Sequence, residues 1–414
     1  MATQNPSVFQ DYKFDGKNTI TFRLTPTDVT YANTLRRLIL TGVKTVGFNS
    51  DMDADGKTTD VSVYRNNTPM TNEMLADRIG LLPITFPNPE QWDPKRYIFE
   101  LNVENTSTDS KDVFAKDIEV FEIGENGEKN PIEGGNTRFF PPDSRSGETA
   151  LLAVLKPKRG NTIEGIHFEA IARAEYGRKH ARYIPVSQCA YRYTRDTNEG
   201  RIEALFNEWL TRAKKIADPK TMDDSKKAVL RKEYESMEID RCYVVDEKTE
   251  EPNSFDFVVE SMGTIPINDI VKQALLNGEA MVRKYVDIDK NSLTDDLRVQ
   301  PAANRLEGFD FIFRGHDHTL GNLLQTYIEK YMMNDTKITY VGYAVPHPLR
   351  DEMVLRIGIA GGKDIDAYRV VAEACRGCTA LFSGWSQDWA RTTGAPTVVR
   401  GQKVTVRRPK QKIG

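Results

Sequence analysis

Two stretches of strict alternation, one near each end of the chain, set the frame. Ile20, Phe22 and Leu24 alternate with Thr21 and Arg23, and Phe309, Phe311 and Phe313 alternate in the same way. Period two is the mark of a half-buried strand. The triplets stand 289 positions apart, and the same offset carries Thr30 onto Thr319, Ala32 onto Gly321, Asn33 onto Asn322, Leu35 onto Leu324 and Ile39 onto Ile328. Here the hydrophobic spacing becomes helical. In the second copy Leu320, Leu323, Leu324, Tyr327, Ile328 and Tyr331 form one wide apolar stripe. Asp28 precedes the first helix and Asp317 or Thr319 the second, oxygen acceptors for the orphan N–H groups of a first turn. After the helices come Val46-Gly47-Phe48 and Val341-Gly342-Tyr343, now 295 apart, so the second copy holds six extra residues around Met332 to Lys337.

Each copy also predicts a late helix. Ile267, Ile270, Val271, Ala274, Leu275, Met281, Val282 and Tyr285 share one side, with Pro266 and Asn268 suited to the first turn. Tyr368, Val371, Ala372, Cys375, Thr379, Phe382 and Trp385 do the same in the second copy. A small sheet with two helices on one face is an α+β layer arrangement. The first copy is interrupted. Its intervening segment reads mainly as β, with strands at Ile98 to Val103, Ala115 to Ile123, Leu151 to Leu155, His167 to Ala174 and Cys189 to Tyr193, followed by charged helices over 198–240. The expected domains are therefore a first module at 1–60 and 253–295, an inserted mainly β domain at 61–252, and a second module at 296–395, with a basic tail over 396–414 expected to be disordered. Neither module has enough residues to bury its stripe alone. Packing stripe on stripe about a pseudo-twofold axis solves this, as an isologous dimer does. The polar linker from Asp287 to Leu306 would act as a tether, raising the effective concentration to about the millimolar range.

Composition narrows the class. Of 414 residues, 57 are Lys or Arg and 60 are Asp or Glu, a net charge of −3, so no global cationic field grips nucleic acid. No run of about 18 apolar residues offers a membrane span, and the N-terminal residues lack the basic and apolar regions of a secretory signal. Four cysteines in so long a chain argue for a reducing compartment without a disulfide framework.

Three constellations invite sharper chemistry. Asp51, Asp53 and Asp55 at spacing two could hold a divalent ion, but the twelfth position of a calcium loop would be Ser62 where a bidentate Glu is needed, and Asp-Gly is ordinary turn chemistry. Cys375 and Cys378 form one C-x-x-C with no second pair to complete four thiolates, so they read as small buried thiols. His316 and His318 read as neighbours of a helix cap. No catalytic residue and no metal site is expected.

Particular segments resemble a known family, the alpha-like subunits of multisubunit DNA-directed RNA polymerase. Tyr31 to Leu40 (YANTLRRLIL) resembles the alpha-type helix signature. Ala76 to Ile84 (ADRIGLLPI) and Val259 to Pro266 (VESMGTIP) are similar to segments of the archaeal D and eukaryotic third-largest subunits. Asp317 to Leu324 (DHTLGNLL) and Val341 to Leu349 (VGYAVPHPL) resemble the small partner, the archaeal L or eukaryotic eleventh subunit. The order suggests the two joined in one chain, as in large cytoplasmic DNA viruses. The resemblance implies an assembly platform without chemistry of its own. Asn33, Arg36 and Arg37 would face the second-largest subunit, where guanidinium groups pair with carboxylates. Leu35, Ile39, Ile270, Val271, Thr319, Gly321, Asn322, Leu323, Leu324, Ile328, Val371 and Phe382 would form the internal pseudo-dimer interface, with Gly321 letting helices approach. It further implies the largest subunit and small subunits of the tenth and twelfth type as partners, catalytic Mg held in the large subunits, DNA contact only through the complex, no membrane, and an intracellular setting: host cytoplasm and virion for a viral source, otherwise nucleus. The cysteine cluster that many D-like inserts use for zinc or iron–sulfur is missing, since the insert holds only Cys189 and Cys242. The rival reading is a free-standing nucleic-acid-binding protein using the tail with Lys156, Lys158 and Arg159; a nucleotidyl-transferring site at Asp51, Asp53 and Asp55 is a third.

Overall fold

In the computed structural model, which describes residues 6–51, 60–143, 146–216, 218, 222–302, 306–333 and 337–394, the two alternating segments become inner strands of two separate sheets. The chain opens with β1 (Phe9–Phe14), β2 (Thr19–Leu24), α1 (Val29–Thr41) and β3 (Lys44–Phe48). Ile20, Phe22 and Leu24 are buried on one side of β2. The N-cap of α1 is Asp28, whose carboxylate accepts from the Thr30 N–H at 2.7 Å.

There follow β4 (Val61–Asn66), α2 (Asn72–Gly80), β5 (Tyr97–Glu104), β6 (Lys111–Phe114), β7 (Glu119–Ile123), β8 (Lys129–Pro131), α3 (Gly135–Phe139), β9 (Leu151–Leu155), β10 (Gly165–Ala170), β11 (Ala172–Tyr176) and β12 (Val186–Tyr193). Two helices, α4 (Glu199–Arg212) and α5 (Asp224–Met237), come next. The first half resumes with β13 (Phe255–Ser261) and α6 (Ile267–Arg283). The second half is β14 (Leu297–Pro301), β15 (Gly308–Arg314), α7 (His318–Tyr331), β16 (Ile338–Ala344), β17 (Glu352–Ile359) and the 30-residue α8 (Asp364–Thr393).

The fold is mixed α+β. The two module sheets have matching strand orders, β1-β2-β13-β12 and β14-β15-β17-β16, antiparallel throughout. Position by position, β2 corresponds to β15, β13 to β17 and β12 to β16, and each third strand leads into the late helix. One hydrophobic core runs through both halves, from Phe9 and Ile20 to Phe382 and Trp389. The intervening segment has a second core around Phe99, Leu101, Phe139 and Phe168, under the sheet β4-β10-β5-β7-β8. Helices α4 and α5 enclose a third, with Phe206, Trp209, Leu210 and Tyr234.

Two expectations change. The boundary at 61–252 does not follow the strand pairing: β12 pairs with β13 as the fourth strand of the first module's sheet, and β11 pairs with β3. Long-range pairing, which local composition does not encode, decides this. The Val-Gly-Phe and Val-Gly-Tyr motifs are not equivalent either. Val46 lies on β3 opposite Ala174, whereas Val341 lies on β16 opposite Ile357 inside the module sheet. The tail over 396–414 lies outside the described residues.

Candidate inter-module seam and docking face

The matched helices α1 and α7 lie against each other, and their polar contacts come in exchanged pairs. Thr30 Oγ1 meets Thr326 Oγ1 at 3.1 Å, and Arg37 Nε donates to Thr319 Oγ1 at 2.7 Å. Under the offset of 289, Thr30 maps onto Thr319 and Arg37 onto Thr326. Residue i therefore touches the copy of j while j touches the copy of i, the signature of a twofold interface. The caps repeat the theme. Arg37 Nη2 bonds Asp317 at 3.0 Å, and Lys330 bonds Asp28, so each N-cap carboxylate is held by a cation from the opposite helix. Asn322 Nδ2 donates to Thr30 Oγ1 at 3.3 Å. Burial pushes the Asp317 pKa up, but the Thr319 hydrogen bonds and the Arg37 charge outweigh it and hold the carboxyl below its ordinary value.

Around this polar line the packing is dry. Leu35, Ile39, Ile270, Val271, Leu323, Leu324, Ile328, Val371 and Phe382 are fully buried. The late helices α6 and α8 pack on each other, and Gly278 of α6 sits where a Cβ would come within 2.8 Å of Leu38 and 3.0 Å of Phe382. Each late helix also reaches the other half's sheet. Trp389 of α8 packs edge-on against Phe9 and Phe22, and its indole N–H donates to the Asn268 carbonyl at 3.1 Å. Tyr285, just past α6, packs edge-on against Phe313 and donates its hydroxyl to Asp296 at 2.6 Å. The same hydroxyl lies 2.9 Å from His316 Nε2. Burial, with Lys284 adding to it, lowers the His316 pKa to about 4.

Two sequence assignments shift. Gly321 does not serve helix–helix contact; a Cβ there would collide with the ring of Tyr343 on β16 in its own half. Arg37 turns inward to Asp317 and Thr319, so its guanidinium is engaged within the chain. Asn33 and Arg36 do share an outward groove, a cavity of about 850 Å³ whose lining includes Tyr191, Arg192, Tyr193 and Arg195 along β12 and beyond it. Arg36 Nε and Nη2 donate to Asn33 Oδ1 at 3.1 and 3.0 Å, which fixes the guanidinium across the turn. The sequence reading passed over Thr326, Lys330, Gly278 and Trp389. A signal for the threonines was present: Thr30 and Arg37, like Thr319 and Thr326, stand seven residues apart beside the apolar stripe.

The other constellations stay separate. Cys375 and Cys378 lie buried on α8, and burial raises both thiols, Cys378 to about 12. Asp51 pairs with Arg182 at 2.9 Å; Asp53 and Asp55 lie outside the described residues. Among the described residues no three His, Cys, Asp or Glu side chains are placed to hold a metal ion, and no helix is long and apolar enough to cross a membrane.

Comparison with known proteins agrees with this geometry. Residues 309–387 match the RNA polymerase Rpb3/Rpb11 dimerisation domain. The chain is 24% identical over 302 residues to RNA polymerase II subunit rpb3 of Dictyostelium discoideum, covering 66% of this chain and 90% of that protein. RPB3 of Schizosaccharomyces pombe is 25% identical over 312 residues (70% and 89%), and subunit Rpo3 of Pyrococcus horikoshii 24% over 276 residues (63% and 89%). The chain is thus similar to third-subunit proteins of RNA polymerases over about two thirds of its length, and its residues 309–387 match the Rpb3/Rpb11 dimerisation domain.

Proposed function

We propose that this chain is a non-catalytic assembly subunit of DNA-directed RNA polymerase that carries both members of an alpha-type pair in one polypeptide. The exchanged contacts between Thr30 and Thr326 and between Arg37 and Thr319 carry this reading. They fill from within the surface that a separate dimerisation partner would otherwise take. The lengths support it: third-subunit relatives align over about nine tenths of their own length on two thirds of this chain. The remainder leaves room for a second, smaller module.

In this reading the groove with Asn33, Arg36, Arg192 and Arg195 receives carboxylates of the second-largest subunit, for which a planar guanidinium fork is suited. The largest subunit and small subunits of the tenth and twelfth type follow. The catalytic Mg resides in the large subunits, and DNA is met only through the complex. The setting is intracellular: host cytoplasm and virion for a viral source, otherwise nucleus.

Native affinity purification of the tagged full chain, followed by mass spectrometry, tests this. One copy per complex with the largest and second-largest subunits, and no separate eleventh-type subunit, is the expected result. A separate eleventh-type subunit, or a preparation free of polymerase subunits, overturns it. Binding of duplex DNA by the purified chain alone, with a steep salt slope, would favour the nucleic-acid-binding alternative.

A further inference from the structure

The exchange that relates α1 to α7 also relates a groove at one end of their seam to a groove at the other. In one, the C-terminus of α1 meets the N-terminus of α7, and the lining carries Arg37, Arg178, Lys179 and Lys284 against Asp317 and Asp351. In the other, the N-terminus of α1 meets the C-terminus of α7, and the lining carries Asp28, Asp246 and Glu251 against Lys330. The two grooves have diverged in charge. The acidic one, a cavity of about 310 Å³, has a second peculiarity. Asn253 and Tyr31 both line it; Asn253 Oδ1 is buried without a hydrogen bond, and Tyr31 Oη, also buried, has only the Tyr331 phenol beside it. Tyr31 is 3% exposed. Buried polar atoms are nearly always paired, so an orphan acceptor with an under-bonded phenol beside it marks a place for an incoming donor. The amide oxygen of Asn253 can only accept.

The sequence beyond α8 is rich in such donors: Arg400, Lys403, Arg407, Arg408, Lys410 and Lys412, with no acid from residue 395 onward. Helix α8 delivers that segment to this end of the molecule. Thr392 donates to the Phe9 carbonyl, and Asp388 accepts from the Val8 N–H at 3.1 Å. The Val8 carbonyl in turn accepts from Thr25 N–H at 2.9 Å, and Pro26 and Thr27, next along the chain, line the acidic groove. The end of α8 is therefore about two strand spacings, ~10 Å, from the groove. Arg400 lies six positions beyond Gly394, a reach of about 20 Å.

We propose that the basic segment 397–414 docks in cis in the acidic groove between the N-terminus of α1 and the C-terminus of α7. An Arg or Lys side chain donates to Asn253 Oδ1 and Tyr31 Oη, and further cations pair with Asp246 and Glu251. Exposed ion pairs are individually weak. Tethering at an effective concentration of about a millimolar makes a weak site sufficient. Salt opens the contact, because rim charges are screened.

Zero-length carbodiimide cross-linking of the full chain, read by peptide mass spectrometry, decides the matter. Lys403, Lys410 or Lys412 should be joined to Asp246 or Glu251. The yield should fall severalfold at high salt and in the double variant Asp246→Lys, Glu251→Lys. Asn253→Leu, which leaves the rim charge intact, should lower it as well. Tail lysines joined only to carboxylates elsewhere, tail lysines joined to none, or a yield indifferent to these changes would overturn the proposal. The readout does not depend on polymerase assembly.

Discussion

Helices α1 and α7 are copies in sequence, and their outward faces differ in a telling way. At offset 289 the counterpart of Arg36 is Gln325. Gln325 accepts from the Tyr343 N–H of β16 at 3.1 Å and donates to Glu329 at 3.0 Å, so its amide is engaged within its own half. Arg36 stands in an open groove beside Arg192 and Arg195. The connection after each helix differs too. From α7 the chain passes directly into β16; from α1 it makes the long excursion from β3 to β11 before β12 takes the equivalent place. Duplicated helices keep the contacts that hold them to one another and diverge on the faces that look away. The face left open is the one on the half that carries the large insertion.

Substitutions can break this comparison or sharpen it. The largest effect is expected from Leu324→Asp. Leu324 and its counterpart Leu35 are fully buried, and an unpaired charge there should cost about 3–5 kcal/mol and abolish cooperative unfolding in urea. Next is the His316 environment, a feature of the second half near the linker. Its folded pKa lies below the unfolded value, so the neutral form is favoured and the contribution to stability is complete above pH 6.5. As pH falls from 6.5 toward 4, stability should drop by up to about 1.4 kcal/mol per pH unit from this group, and His316→Asn should flatten that part of the curve.

Gly321→Ala is the third. The first half already holds Ala32 at the equivalent position, but in the second half the Tyr343 ring occupies the space. Calorimetry should show a loss of ~1–3 kcal/mol, while Ala32→Gly should cost about 1 kcal/mol through helix propensity alone. Arg37→Ala should cost about 1 kcal/mol, since it removes hydrogen bonds to the partly exposed Asp317 and to Thr319. It should also weaken acid sensitivity below about pH 4, where the depressed Asp317 carboxyl titrates. The smallest stability effect belongs to Arg36→Glu, within ~0.5 kcal/mol. That variant should nonetheless lose the second-largest subunit in co-purification, whereas Gln325→Glu should retain it.

Much of this arrangement was legible in the chain. The alternation at Ile20 and Phe309, the Asp28 and Asp317 caps and the stripe from Leu320 to Tyr331 are local patterns, and local patterns survive folding because each turn or pleat must bury one side. What escaped was decided at long range. The strand β12 is indistinguishable by composition from its neighbours in the insert, and only its pairing with β13 assigns it to the first module. Arg37 read as an outward charge because its partners lie 280 and 282 positions away. Gly321 suggested close helices, when the crowding body is a ring on a strand.

The crossing of Trp389 onto Phe9 and Phe22 has a consequence for biosynthesis. The ribosome makes the side chain that covers Phe9 and Phe22 of the first sheet 380 residues after Phe9. At about 5–20 residues per second, those aromatic rings wait roughly 20–80 s for their lid. Until residue 389 has emerged, those rings lack the indole that covers them, so a chain shortened before Trp389 should expose an apolar patch on the first sheet however intact its earlier portions.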